Sequence, residues 1–238
     1  MSNVLAVFRK EFRTYFSSAI AYVFITIFLI LTLWLFFRSF FLVNQASMRD
    51  FFGLIPLVFL LFIPAVTMRL WAEERKMGTL ELLMTLPVTD LQVVLGKFLA
   101  SVAFLAVAVA LTLPLPIAVE ALGTPDWGPI FGGYLGTILL GGAYLAIGLY
   151  ISSLTENQIV AFIISVVACF LLFIIGEDLI LFAIPSWLRG FAQGLGLGAH
   201  FDSIGRGVID SRDIIFYLSM IGFFLYLNVR SIERRSWA

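Results

Sequence analysis

Six apolar runs divide the chain, at 19–37, 51–68, 95–119, 130–154, 159–175 and 214–229. A membrane-crossing helix needs about 20 mostly apolar residues, and each run meets or approaches that length; the last is short and continues at either end. A seventh apolar piece, 179–188, is too short to cross and contains Pro185, so it reads as an interfacial or re-entrant helix on the outer side. Ahead of the first run, Leu5, Phe8, Phe12, Tyr15 and Phe16 recur at three- and four-residue spacing while Arg9, Lys10 and Arg13 take other faces. That is the pattern of an amphipathic helix lying in the interface. The pattern predicts an all-α polytopic membrane protein of one domain over 1–238, with six spans, an amphipathic N-terminal helix over 1–17 and an outer loop with a short helix over 176–213.

Between the second and third runs, 69–97 (RLWAEERKMGTLELLMTLPVTDLQVVLGK) holds eight charged residues. At roughly 2.5–3.5 kcal/mol each, placing them at mid-membrane depth would cost on the order of 20 kcal/mol. The segment 69–92 is therefore a surface-facing device. Lysine and arginine bias sets the orientation. With the N-terminus inside, Arg9, Lys10, Arg13, Arg69, Arg75, Lys76, Lys97, Arg230, Arg234 and Arg235 lie on the inner side, and Arg38, Arg49, Arg189, Arg206 and Arg212 on the outer. Ten of fifteen inside is a positive-inside signal, so both termini and the charged segment face the cytoplasm.

Local signals subdivide that segment. Gly78 breaks the extension of the second span, Thr79 caps a short helix with Glu81 in its first turn, and Pro87 ends it. Thr89 to Gln92 forms a capping box, with Val88 and Val93 placed for a hydrophobic staple, opening the third span. The same T-x-x-Q spacing, Thr155 to Gln158, precedes the fifth. The fourth run carries Gly132, Gly133, Gly136, Gly141, Gly142 and Gly148, small residues that let helix backbones approach; a ligand-lining helix is the sharper alternative. Prolines 56, 64, 114 and 116 bend the second and third spans.

Composition agrees: 13% of residues are charged, against about 25% in soluble domains. Net charge is zero and there is no polybasic run, so nucleic acid is not a partner. The apolar run at the N-terminus lacks a small-residue cleavage pattern and reads as a retained helix. Candidate chemistry is sparse. Cys169 lies within an apolar run and reads as a packing hydrophobe. His200 is the sole histidine, so paired-histidine metal motifs and an intramembrane protease do not fit. No carboxylate sits mid-span to bind a coupling ion, and no phosphate-cradling loop is present; Gly96-Lys97-Phe98 lacks the hydroxyl residue and the upstream glycine. If ATP drives the protein, a separate subunit binds it. Mechanical coupling fits: a short capped helix joined to two spans and rimmed by Glu73, Glu74, Arg75, Lys76 and Glu81 can dock in a partner's groove. The alternative is a solvated loop that only sets topology.

The order A-E-E-R-K-x-G-T-L-E-L-L-x-T-L-P between Met68 and Pro87 resembles the signature of ABC-2 type transporter permeases. The opening from Phe8-Arg9-Lys10-Glu11-Phe12-Arg13 to Ser18-Ala19-Ile20-Ala21-Tyr22 is similar to that family's elbow helix. The tail Ser203-Ile204-Gly205-Arg206-Gly207-Val208-Ile209-Asp210 is similar to the gliding-motility (GldF) branch. The resemblance implies a homodimer of six-span subunits in a bacterial inner membrane. Each would dock on a cytosolic ABC ATPase subunit that holds ATP and Mg, with an accessory extracytoplasmic protein as a further partner and no cofactor on this chain. It implies that Glu73, Glu74, Arg75, Lys76, Gly78, Thr79, Leu80, Glu81, Leu83 and Pro87 form the coupling element. It implies that Arg9, Lys10, Glu11 and Arg13 mark the elbow, with Glu73 or Glu74 pairing to Arg9, Lys10 or Arg13. The chain itself would then be a non-enzymatic exporter subunit. A stand-alone ion-coupled carrier and a non-transporting scaffold remain as alternatives at this stage.

Overall fold

The computed structural model describes residues 2–43, 45–79 and 87–233. Among them the chain is helical with no strand, in the order α1 (Ser2–Ser17), α2 (Ala19–Val43), α3 (Arg49–Thr67), α4 (Arg69–Lys76), α5 (Asp90–Ala110), α6 (Pro114–Leu122), α7 (Trp127–Ser152), α8 (Gln158–Ile174), α9 (Asp178–Ala183), α10 (Ser186–Leu195), α11 (Leu197–Gly205) and α12 (Ser211–Glu233). Five stretches are long and apolar enough to cross a membrane: Ala19–Leu42, Arg49–Lys76, Asp90–Leu122, Trp127–Ser152 and Ser211–Glu233. The sixth expected crossing is α8, whose 17 residues rise about 25 Å at 1.5 Å each, short of a hydrocarbon core of about 30 Å. The last expected span does extend at both ends, from 214–229 to 211–233.

The centre of the bundle is α7, against which α3, α5, α8, α11 and α12 all pack. Its glycines explain how. A methyl group at Gly133 would collide with the Phe52 ring, one at Gly141 with Leu105, and one at Gly148 with the Thr67 side chain. Three separate neighbours thus lie against bare backbone, and the glycines serve contact between helices. An aromatic seam joins α2 to α3, with Phe28 5.0 Å from Phe62 and Phe36 edge-on to Phe51 at 5.9 Å between centroids. The seam runs antiparallel, Phe24 meeting Phe62 and Phe36 meeting Phe51.

The prolines of the second and third apolar runs take different positions. Pro56 and Pro64 lie inside α3, whereas the third apolar run is interrupted by a turn at Leu111–Leu113 before α6 restarts with Pro114 at its first position. A first-turn proline needs no amide partner, so the restart is favourable. The expected outer helix over 179–188 is likewise two helices, α9 and α10. Ile184 and Pro185 between them are extended, with ψ of 153° and 146°, because the residue before a proline is disfavoured in the α region.

Two cap expectations divide. At α5 the Thr89 hydroxyl accepts the Gln92 amide at 3.4 Å and the Gln92 side chain accepts the Thr89 amide at 3.2 Å, a reciprocal box. At α8 the cap is Asn157, whose Oδ1 accepts from the amides of Ile159 and Val160, while Thr155 accepts the Asn157 amide in the preceding turn. The helix begins two residues later than the T-x-x-Q spacing implies, because Asn157 is extended and its shorter side chain already satisfies the first orphan donors.

Candidate functional site

At the end of the bundle where α2 begins and α3 ends, α1, α4 and α5 converge. Helix α1 lies along the first half of α5 and runs in the same direction: Asn3 meets Gln92 at 3.3 Å, a methyl at Gly96 would collide with Val7, Glu11 meets Lys97, and the Tyr15 hydroxyl lies 3.0 Å from that of Ser101. The face turned inward is therefore Val7, Glu11 and Tyr15, all buried, at four-residue intervals. Phe8, Phe12 and Phe16 are half-buried beside it, Phe8 stacked on Phe12 with centroids 5.7 Å apart and Phe16 tilted against Phe12 at 5.1 Å. Leu5 is exposed. Of the expected stripe, Tyr15 is thus packed inward and the three phenylalanines flank it, and the packed face carries a carboxylate.

That carboxylate meets Lys97, which is only 1% exposed. The Lys97 ammonium donates to Glu74 Oε1 at 2.7 Å, to Glu11 Oε1 at 3.2 Å and to the Leu70 carbonyl at 3.1 Å, using all three protons. It also sits 4.9 Å from the centre of the Trp71 ring. On the open side, Lys10 Nζ lies 3.4 Å from Glu11 Oε1 and 3.9 Å from Glu74 Oε1. Two cations and two anions cancel, so a charge two turns into an apolar helix is held without net charge. Removing one partner of such a buried set costs about 3–5 kcal/mol, because an uncompensated charge is left behind. Nearby, burial pushes the Tyr15 phenol well above its ordinary range, opposed by its hydrogen bond to Ser101 and by Arg69, whose guanidinium lies 5.4 Å over the Tyr15 ring.

Helix α4 is fixed by a second device. It follows α3 after a break at Met68, and its first turn presents amides with no partner in their own helix. The Ser152 hydroxyl, from the end of α7, accepts the amides of Trp71 at 3.1 Å and Ala72 at 3.2 Å and donates to the Met68 carbonyl at 3.0 Å. One buried hydroxyl from the central helix thus caps α4 and closes the break. At the other end of α4, Gly78 takes φ of +68°, the left-handed conformation that ends a helix at low cost in glycine, and the Thr79 hydroxyl donates to the Glu74 carbonyl at 3.2 Å. The expected stop at Gly78 is present, and the short helix that Thr79 is expected to cap lies outside the described residues.

The residues expected to matter are therefore distributed as follows. Glu74, Lys10 and Glu11 come together around Lys97. Glu73 and Lys76 are exposed on α4, Arg75 is half-buried, and Arg9 and Arg13 are exposed on α1. Pro87 is exposed, and its carbonyl accepts from the Asn3 side chain at 3.3 Å. Leu80, Glu81 and Leu83 lie outside the described residues. Of the elbow pairings expected for Glu74, Lys10 is the one in range. The dominant partner, Lys97, is absent from that expectation, although a lysine two turns inside an apolar run is itself the signal that carboxylates must meet it.

No group of three or more histidine, cysteine, aspartate or glutamate side chains with metal-binding placement occurs among the described residues. The arrangement is one of mechanical linkage: three helices from distant parts of the sequence share one charge centre, and a fourth is capped onto one of them. A comparison with curated proteins gives no match. The profile of the family described as ABC-2 family transporter protein matches residues 5–229. That match takes in α1, the shared charge centre and nearly all of the last helix, and the chain belongs to the ABC-2 transporter family, as a membrane-spanning permease component of an ABC transporter.

Proposed function

We propose that this permease crosses a bacterial inner membrane six times, with α8 as the short fifth crossing and both termini cytoplasmic, and that two copies form an exporter. Each copy docks on a cytosolic ATPase subunit that holds ATP and Mg, through the segment from Glu73 to Pro87 that includes Gly78, Thr79, Leu80, Glu81 and Leu83. The observation that carries this reading is the Lys97 centre. It binds α1, α4 and α5 to one another, and Thr79 is hydrogen-bonded to the Glu74 carbonyl, so a push that reaches α4 through Thr79 moves three helices as a unit. The Ser152 cap extends the same linkage to α7. The tail 203–210 resembles the gliding-motility branch, and on that reading an accessory extracytoplasmic protein is a further partner.

The test is capture. A crosslinker on Thr79→Cys is expected to join the chain to a co-purifying subunit with ATPase activity. Gradient-driven uptake by the lone chain in liposomes, with no such subunit captured, would overturn the reading.

A further inference from the structure

Beside the Lys97 centre, α1, the start of α2 and α4 enclose an open cleft of about 360 Å³. Its walls include Arg69 and Glu73 of α4, Ser18 between α1 and α2, and Ile20 at the start of the first apolar helix. We propose that this cleft binds the headgroup of a zwitterionic phospholipid with a primary ammonium, of the phosphatidylethanolamine class. The proposal does not require an ATPase partner, although Glu73 and Thr79 of the docking segment proposed above also line the cleft.

Depth comes first. The cleft lies where the apolar stretch Ala19–Leu42 starts and α3 ends, the level at which helices leave hydrocarbon and headgroups begin. Ile20, Tyr22 and Val23 on the adjoining turn of α2 are exposed, an apolar surface suited to acyl chains. Charge comes second. Lys97, Lys10, Glu11 and Glu74 neutralise one another, which leaves Arg69 and Glu73 as the charges lining the cleft without an ion pair among the described residues. They lie four positions apart on α4 yet do not pair with each other. Arg69 is held over Tyr15, and a guanidinium fixed in this way presents a fork that suits a phosphate. Glu73 is exposed and can accept from an ammonium.

Phosphate and ammonium in an ethanolamine headgroup are joined by a two-carbon bridge, a reach that suits charges one helical turn, about 5.4 Å, apart. Two further groups are left over. The Ser18 hydroxyl accepts from the Ile20 amide and keeps its own proton for a phosphate oxygen. Glu74, which also lines the cleft, has one buried carboxylate oxygen without a hydrogen bond. A choline headgroup offers no N–H to these acceptors, and a glycerol headgroup offers no cation.

The full chain, purified in detergent and stripped of lipid, would be titrated with phosphatidylethanolamine, phosphatidylcholine and phosphatidylglycerol, and bound lipid read by native mass spectrometry. Retention of the ethanolamine lipid is expected to exceed that of the other two by about tenfold, the difference made by one charge-assisted hydrogen bond. Glu73→Gln, at an exposed position that leaves folding intact, should abolish the preference for ethanolamine over choline, and Arg69→Gln should lower retention of all three lipids. Equal retention of the three lipids, or a preference unchanged in Glu73→Gln, would overturn the proposal. So would protection of the cleft by free glycerophosphoethanolamine as effective as that by the lipid. Crosslinking from Ser17→Cys to a co-purifying protein would overturn it too, since a protein segment would then fill the space.

Discussion

The two ends of the bundle each attach peripheral helices to a long one through a polar side-chain contact, and they do so differently. At one end Lys97 is enclosed, holds two carboxylates and a carbonyl, and ties together three helices. At the other, His200 of α11 meets Asp213 of α12 at 2.6 Å, stacks on Phe216 at 3.9 Å and reaches the Gly194 carbonyl at 3.4 Å. The Tyr217 hydroxyl adds a bond to the Leu197 carbonyl at 2.7 Å. At the first attachment the lysine is the sealed partner, 1% exposed, and Glu74 the open one, at 19%; at the second the histidine is the half-open partner, at 19%, and Asp213 is enclosed at 8%. Losing a carboxylate at the first end strands an enclosed ammonium. Losing the contact at the second leaves an imidazole that still has a path to solvent.

The comparison breaks most readily at the sealed end. Lys97→Met leaves Glu11 and Glu74 facing one another, and an unfolding titration in micelles is expected to show a loss of about 3–5 kcal/mol. Combining it with Glu11→Gln and Glu74→Gln should recover much of that loss, because a neutral site no longer strands a charge; no recovery would mean that the cost lies in packing around Trp71. Next in size, Ser152→Ala removes the partner of two amides and a carbonyl, with an expected cost of about 1–3 kcal/mol. Faster hydrogen exchange should be confined to the start of α4, and exchange spread evenly over the bundle would count against the local cap.

At the half-open end, His200→Phe keeps a ring against Phe216 but removes the bond to Asp213, and about 1 kcal/mol is expected. Its effect should be read as faster exchange in α10 and α11 with α1 and α4 unchanged. The smallest effect is a pH response. Burial raises the Glu177 carboxyl, helped by Asp202 and Asp178, and burial raises that of Asp202 against the opposing influence of Arg206. A carboxyl raised in the folded state binds its proton more tightly there. Stability is therefore greatest below the ordinary carboxylate range and falls as pH rises through it to the raised value. Mild acidification should slow exchange in α9 to α11, and Asp202→Asn should flatten that response; a slope of opposite sign would count against the buried carboxyls as its source.

Much of the architecture is legible in the sequence because it depends on length and spacing. Apolar runs mark the long helices, Thr89 and Gln92 announce a reciprocal cap, and Gly78 marks a stop. What is not legible depends on who meets whom across the fold. The phenylalanines of α1 are its most conspicuous apolar set, yet the helix turns Val7, Glu11 and Tyr15 inward. That choice is made by Gly96, Lys97 and Ser101 some 86 to 89 residues away. Ser152 looks like an ordinary helix end and is the cap of another helix. The break before α6 and the division of the outer helix at Pro185 are foreshadowed by proline, but its positions alone do not say whether a helix bends or restarts.

The link between Glu11 and Lys97 spans 86 residues of chain. During synthesis at about 5–20 residues per second, the first helix emerges roughly 4–17 s before the lysine that will hold it. Through that interval its carboxylate stays in water or borrows Lys10 alone. The N-terminal helix therefore waits undocked at the membrane surface while two long helices insert, and it settles against the bundle only after the third has arrived.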